Sequence, residues 1–123
     1  MTESGRLRAA VVGVGYLGRH HARILAGLSD VDLVAVVDVN SERAKTVAFE
    51  TGSLPVTDAA SLLRDVDAIT LAVPTDVHAE IALPFLRQGV AVLVEKPIAT
   101  SLAQADSMIG AAMESGALLA VGQ

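Results

Sequence analysis

The stretch VVGVGYLGRHH, residues 11–21, decides how the rest of this chain is interpreted. An apolar run breaks there into Gly13, Gly15 and Gly18, a G-x-G-x-x-G pattern with a physical role where a strand turns into a helix. The first glycine permits a sharp turn, the second lets a pyrophosphate approach the backbone, and the third lets the helix pack closely against the sheet. The helix then presents free N–H groups and the positive end of its dipole to the phosphates. The stretch therefore predicts a dinucleotide site.

The sequence around the glycines supports this interpretation, which a glycine triplet alone supports only weakly. Residues 9–12 read as a buried strand, residues 16–28 carry apolar residues at helical spacing, and residues 33–37 read as a second strand. Asp38 follows Gly18 by 20 residues, where such a unit needs a carboxylate for the adenosine ribose. Since Val39 offers no cation to a 2′-phosphate, NAD is favoured over NADP. Arg43 leaves a second possibility open, because it could stack on the adenine, reach a phosphate or lie on a solvated helix face.

The remaining sequence alternates strands and helices. Strands are predicted at 54–56, 67–73, 90–94 and 118–121, and helices at 42–50, 59–64, 76–87 and 102–114. We expect Pro55 to place its strand near a sheet edge, Thr75 to cap the helix after it, and Ser101 with Gln104 to form a capping box. The alternation predicts an α/β fold, a doubly wound parallel sheet of the Rossmann type with helices on both faces. Its ligands lie beyond the carboxyl ends of the strands.

Length and composition exclude several classes of protein. With 123 residues, 52% of them hydrophobic, the chain is predicted to be one dinucleotide-binding domain over residues 1–123. A net charge of −5 without a basic run disfavours a nucleic-acid surface, and no apolar run reaches the roughly 18 residues of a membrane span. Without cysteine there is no disulfide or thiol nucleophile, and no His/Asp/Glu spacing predicts a metal site. The expected compartment is the cytoplasm.

Three motifs together resemble the Gfo/Idh/MocA family of NAD(P)-dependent oxidoreductases. They are GVGYLGRHH at 13–21, AVPTDVH at 72–78 and VEKPIAT at 94–100. The resemblance implies a Rossmann domain followed by a second α/β domain that holds much of the substrate site. It also implies hydride transfer between the nicotinamide and a hydroxyl-bearing carbon of a sugar, nucleotide sugar or cyclitol. Since this chain ends at Gln123, we expect the substrate domain to be absent, the domain alone to be inactive, and the full-length protein to be a homo-oligomer.

The resemblance also assigns roles to particular residues. Lys96 is implied to contact the reacting hydroxyl and help move its proton, although a surface lysine paired with Glu95 is the alternative. Glu95 is expected to orient Lys96 or the local backbone. Pro74 and Thr75 are expected to lie in the segment that runs beside the nicotinamide half of the cofactor. The other expected contacts are Tyr16 and Leu17 beside the pyrophosphate or ribose, and His78 on cofactor or substrate. A capping or packing role is an equal alternative for His78.

Two functions remain open from the sequence. The first is the cofactor-binding domain of an NAD(P)-dependent dehydrogenase acting on a sugar, nucleotide sugar or cyclitol. The second is a non-catalytic nucleotide-sensing or interaction module that has kept the fold.

Overall fold

Six short runs rich in Val, Leu and Ala form one fully parallel sheet in this computed structural model, which describes residues 5–122. The strand order is β3-β2-β1-β4-β5-β6, and every neighbouring pair is parallel. Strands covered by helices on both faces need apolar residues throughout, which explains the composition of these runs. The predicted doubly wound Rossmann fold is confirmed. The strands are β1 (Leu7–Val12), β2 (Val31–Val37), β3 (Leu54–Val56), β4 (Ala68–Leu71), β5 (Ala91–Glu95) and β6 (Leu119–Gly122).

Four α-helices and two short 3₁₀ segments connect the strands. Asn40 caps the second helix by accepting a hydrogen bond from the N–H of Arg43, and Gly52 ends that helix in the left-handed conformation. Within residues 5–122, none of the helices has the length and apolar character needed to cross a bilayer. The helices are α1 (Tyr16–Ala26), α2 (Ser41–Thr51), α3 (His78–Arg87) and α4 (Leu102–Ser115), and the 3₁₀ segments are Ala59–Leu62 and Thr75–Val77.

The two faces of the sheet have separate hydrophobic cores. Val11 of β1 packs with Ala22 of α1 and Val47 of α2 in the smaller core. The neighbouring Ala10 and Val12 belong to the larger core, which includes residues of α3 and α4. Successive side chains of a strand point to opposite faces, so β1 supplies both cores and is anchored from both sides.

Several predicted boundaries and caps needed correction. Thr75 was expected to cap a helix beginning at residue 76, but it starts a 3₁₀ turn, and α3 begins at His78 without a side-chain cap. Ser101 does cap α4, accepting from the N–H of Gln104 at 3.1 Å. In a capping box the side chain of Gln104 would accept from the N–H of Ser101. Here it accepts instead from the N–H and the hydroxyl of the preceding residue, Thr100. The proline-containing strand β3 lies at a sheet edge, as predicted.

Helices α1 and α2 are joined on their exposed side by an ion-pair network. Glu50 of α2 accepts hydrogen bonds from Arg19 and Arg23 of α1. The hydrogen bond from Arg19 is the main reason that the pKa of Glu50 falls to about 2. The network connects the helix that follows the glycine turn to its neighbour.

Candidate cofactor site

The strand order places a groove at the carboxyl end of β1. The chain runs from β1 to β2 and β3 on one side and to β4, β5 and β6 on the other, so the order reverses at β1. Ligands of open α/β sheets bind at this kind of switch point. A groove of about 730 Å³ is found there, large enough for a cofactor. Its lining includes the predicted residues Gly13, Gly15, Asp38, Arg43 and Pro74.

Two of the three glycines are required by packing. A Cβ on Gly13 would lie 2.5 Å from the carbonyl oxygen of Ala72, and its φ of +89° disfavours other residues. A Cβ on Gly18 would lie 1.6 Å from the carbonyl oxygen of Gly13. Real Cβ atoms do not approach so closely, so these glycines allow β1, its turn and α1 to meet.

Gly15 is different, because the protein places nothing near it. Its backbone has φ −68° and ψ −157°, which other residues can adopt, and a Cβ there would meet no atom within 4 Å. Gly15 is also the N-cap of α1 and offers no side chain to the free N–H groups of the first turn. The empty space, the helix dipole and the free donors together fit an anionic group such as a pyrophosphate.

Asp38 joins the end of β2 to the glycine turn. Its carboxylate is only 7% exposed, and Oδ2 accepts a hydrogen bond from the N–H of Val14 at 3.1 Å. Oδ1 accepts from the N–H of Asn40 at 2.9 Å. Two carboxylate oxygens offer about four acceptor positions, so Oδ1 keeps capacity for a ribose hydroxyl. The sequence motif did not reveal that Asp38 also holds the glycine turn.

The groove is predominantly acidic around this carboxylate. Arg43 lies with Nη1 3.5 Å from Oδ2 of Asp38, so its charge is partly compensated. The other charged residues lining the groove are Asp58, Asp76 and Glu80. A 2′-phosphate beside Asp38 would face that carboxylate and one partly paired guanidinium, in a groove whose other charged lining residues are acidic, and this arrangement favours NAD over NADP.

The remaining predicted residues lie beyond the lining of this groove. Tyr16 is 96% exposed and Leu17 is exposed beside it, both in the first turn of α1, where Gly18 is buried. Thr75 lies next to the lining residue Pro74 and does not itself line the groove. Their contact with a cofactor stays a prediction.

Lys96 and Glu95 stand at the carboxyl end of β5, on the same edge of the sheet. Lys96 is exposed and is followed by a cis peptide bond to Pro97. Glu95 does not pair with it: the ion-pair partner of Glu95 is His21 of α1, with Nε2 3.7 Å from Oε1. The alternative of a Lys96–Glu95 surface pair is therefore wrong.

His78 requires the clearest correction among the predicted site residues. Its side chain is 1% exposed and does not line the groove. Nε2 lies 3.0 Å from the carbonyl oxygen of Val73, and Nδ1 lies 3.1 Å from that of Ile98. The ring is engaged with backbone on both sides, so the predicted direct contact with cofactor or substrate is wrong.

The fold and the groove define a dinucleotide-binding domain of the kind found in oxidoreductases. A family model for the oxidoreductase family with an NAD-binding Rossmann fold, GFO_IDH_MocA, matches residues 7–123. The chain belongs to this family. The predicted family and its NAD cofactor are confirmed by this match and by the relatives described next.

Relatives with assigned activities cover most of this chain. It is 40% identical over 116 residues to the UDP-N-acetylglucosamine 3-dehydrogenase of Acidithiobacillus ferrooxidans, with 94% of this chain and 36% of the relative covered. It is 32% identical to an inositol 2-dehydrogenase of Rhizobium meliloti, with 94% and 36% covered. The solved WlbA dehydrogenase of Bordetella pertussis, in complex with NADH and UDP-GlcNAcA, has a TM-score of 0.85 at 30% identity, with 95% and 36% covered. The chain thus spans little more than a third of these relatives' length.

The contrast between Gly18 and Gly15 predicts that substitutions at these two positions destabilise the protein to very different extents. Gly18→Ala should lower the free energy of unfolding by about 3 kcal/mol or more, because the new Cβ overlaps backbone that cannot move aside cheaply. Gly15→Ala should cost less than about 1 kcal/mol, the scale of an altered N-cap. Urea unfolding followed by circular dichroism measures both.

Gly110→Ala is the matched control, since Gly110 lies in α4 with open space around it. Equal destabilisation by the Gly15 and Gly18 substitutions would contradict the assignment of Gly15 as an open cradle.

Proposed function

We propose that this chain is the NAD-binding domain of a dehydrogenase that acts on a sugar, nucleotide sugar or cyclitol. The enzyme oxidises a hydroxyl-bearing carbon of this substrate or reduces the corresponding carbonyl. The observation that carries the proposal is the open space at Gly15, beside a helix N-terminus and in the same turn that the carboxylate of Asp38 holds. The relatives named as dehydrogenases of UDP-N-acetylglucosamine and of inositol support the substrate class.

Different residues at the switch point bind different parts of the adenosine half of the cofactor. The N–H groups at the start of α1, at Tyr16 and Leu17, have no acceptor within the helix and suit the pyrophosphate. The free acceptor capacity of Asp38 suits the ribose hydroxyls. Arg43 borders the same part of the groove and suits the face of the adenine ring.

The other half of the dinucleotide then extends toward β4 and β5. The pyrophosphate lies at β1 and the adenosine lies over β2, so the nicotinamide half has to follow the opposite direction of the sheet. That direction carries Pro74 and Thr75 after β4 and Lys96 after β5. When bound, NAD supplies the hydride acceptor. We expect the ammonium group of Lys96 to contact the substrate hydroxyl and to take part in moving its proton.

Some further features stay predictions. They are the assignment of residues 1–123 to one domain with the substrate domain elsewhere, a cytoplasmic location, homo-oligomerisation of the full-length protein, and the lack of a nucleic-acid partner.

Calorimetric titration of this chain with NAD, and separately with NADP, tests the cofactor assignment. NAD should bind at least about tenfold more tightly, a difference of about 1.4 kcal/mol, because the 2′-phosphate meets Asp38 and the acidic groove. Gly15→Val should abolish binding of both by filling the place of the pyrophosphate. Gly110→Ala serves again as the control with unchanged affinity. Tighter binding of NADP would assign Arg43 to the 2′-phosphate, and an unchanged affinity of the Gly15 variant would remove the cradle from the site.

Lys96→Ala tests the dehydrogenase assignment in a full-length protein that contains this chain. Turnover with a cyclitol or nucleotide sugar should fall by about 10²–10⁴-fold, the usual contribution of a proton-transferring group. NAD affinity should change less than about threefold, because the adenosine and pyrophosphate contacts remain. Lys45→Ala, an exposed position on α2, is the control.

Retained turnover in the Lys96 variant would show that another group carries the proton. An NAD-bound protein without turnover on a broad panel of polyols and nucleotide sugars would instead favour the sensing or interaction module.

A further inference from the structure

His78 connects two loops that leave neighbouring strands on the nicotinamide side of the sheet. One ring nitrogen meets the carbonyl oxygen of Val73, in the loop after β4. The other meets the carbonyl oxygen of Ile98, in the loop after β5. The ring itself is almost completely buried, at 1% exposure. It is therefore a fixed spacer between two backbone segments.

The two segments held by the ring carry the residues assigned to the nicotinamide half and to proton transfer. Val73 directly precedes Pro74, which lines the groove. Ile98 lies two residues after Lys96. Strands β4 and β5 are paired in register up to Leu71 and Val94, and beyond those residues the sheet no longer sets the distance between the loops. The imidazole spans this unpaired region.

We propose that His78 is a positioning residue that fixes the Lys96 loop relative to the loop bordering the nicotinamide. The proposal rests on the NAD-binding function proposed above. Imidazole suits the task because its two nitrogens lie on different edges of one rigid ring. The doubly protonated ring donates an N–H to both carbonyl oxygens, and the neutral ring donates to one of them and lies against the other. An amide side chain carries its donors on a single nitrogen and cannot serve both loops in the same way.

This role differs from that of a histidine that merely fills the core. Substitution of a packing residue lowers the stability of the whole domain and therefore lowers the affinity for every ligand by a similar factor. A spacer between the two loops affects the nicotinamide half of the dinucleotide and leaves the adenosine half, held at Gly15 and Asp38, unchanged. Fragments of the cofactor can separate these two effects.

The test compares NAD with ADP-ribose, which lacks the nicotinamide ring, on the wild-type chain and on His78→Gln and His78→Asn. The wild-type chain should bind NAD more tightly than ADP-ribose. In both variants the affinity for NAD should fall about tenfold or more, toward that of ADP-ribose, while the affinity for ADP-ribose stays within about twofold. His20→Gln, at an exposed position of α1, is the matched control and should change neither. Circular dichroism establishes that each variant is folded.

Each other result has a defined meaning. Absence of binding of both ligands to the wild-type chain contradicts the proposed function itself. Equal wild-type affinities for NAD and ADP-ribose, an equal loss of both in the variants, or no loss of either overturns the positioning role.

If both variants fail to fold, hydrogen exchange on the wild-type chain decides. NAD should slow amide exchange in residues 75–78 and 98–100 together, and ADP-ribose should leave both segments unchanged. Protection of one segment without the other would overturn the proposal.

Discussion

The close approach of α1 to the turn after β1 is the constraint on which the site depends. No side chain fits between Gly18 and the carbonyl oxygen of Gly13, where a Cβ would lie at 1.6 Å. Because the helix begins so close to the strand, its N-terminus and its free N–H groups face the edge of the sheet at the switch point. Gly15, in the same turn, is free of such contacts. Of the three glycines in the motif, Gly15 therefore has the open space that the proposed site uses for the phosphates of a dinucleotide.

Asp38 connects the fold to ligand recognition. Its carboxylate accepts the N–H of Val14 and so holds the glycine turn against the end of β2. In the proposed cofactor site the same group binds the adenosine ribose, and further carboxylates line the groove. A single buried charge therefore supports the geometry of the phosphate site and the preference for a cofactor without a 2′-phosphate. Substitution of Asp38 changes both properties at once, which makes it a poor probe of either one alone.

The sequence predicted well the features that depend on local pattern. Buried parallel strands need continuous apolar runs, so all six strands were found. The cap at Ser101 was also predicted, because it depends on side-chain and backbone chemistry within a few residues. The placement of His78 was not predictable in this way. Its partners lie 5 and 20 residues away, on loops that only the completed sheet brings together.

Glu95 illustrates the same limit. The sequence places it next to Lys96, and a pair between neighbours was a natural alternative. In the structure it faces His21, which lies in the helix after the glycine turn. Adjacent residues of a strand point to opposite sides, so the partner of Glu95 depends on which helix covers that side of the sheet. Side-chain partners of this kind depend on tertiary packing, and residue spacing in the sequence does not predict them.

The most direct measurement is a nuclear magnetic resonance map of NAD on the ¹⁵N-labelled chain. The largest amide shifts should occur at Gly15, Tyr16 and Leu17, with further shifts beside Asp38 and after β4, while α4 is unaffected. Shifts that leave Gly15 and its neighbours unchanged would show that the cofactor does not lie at the glycine turn, and would contradict the account.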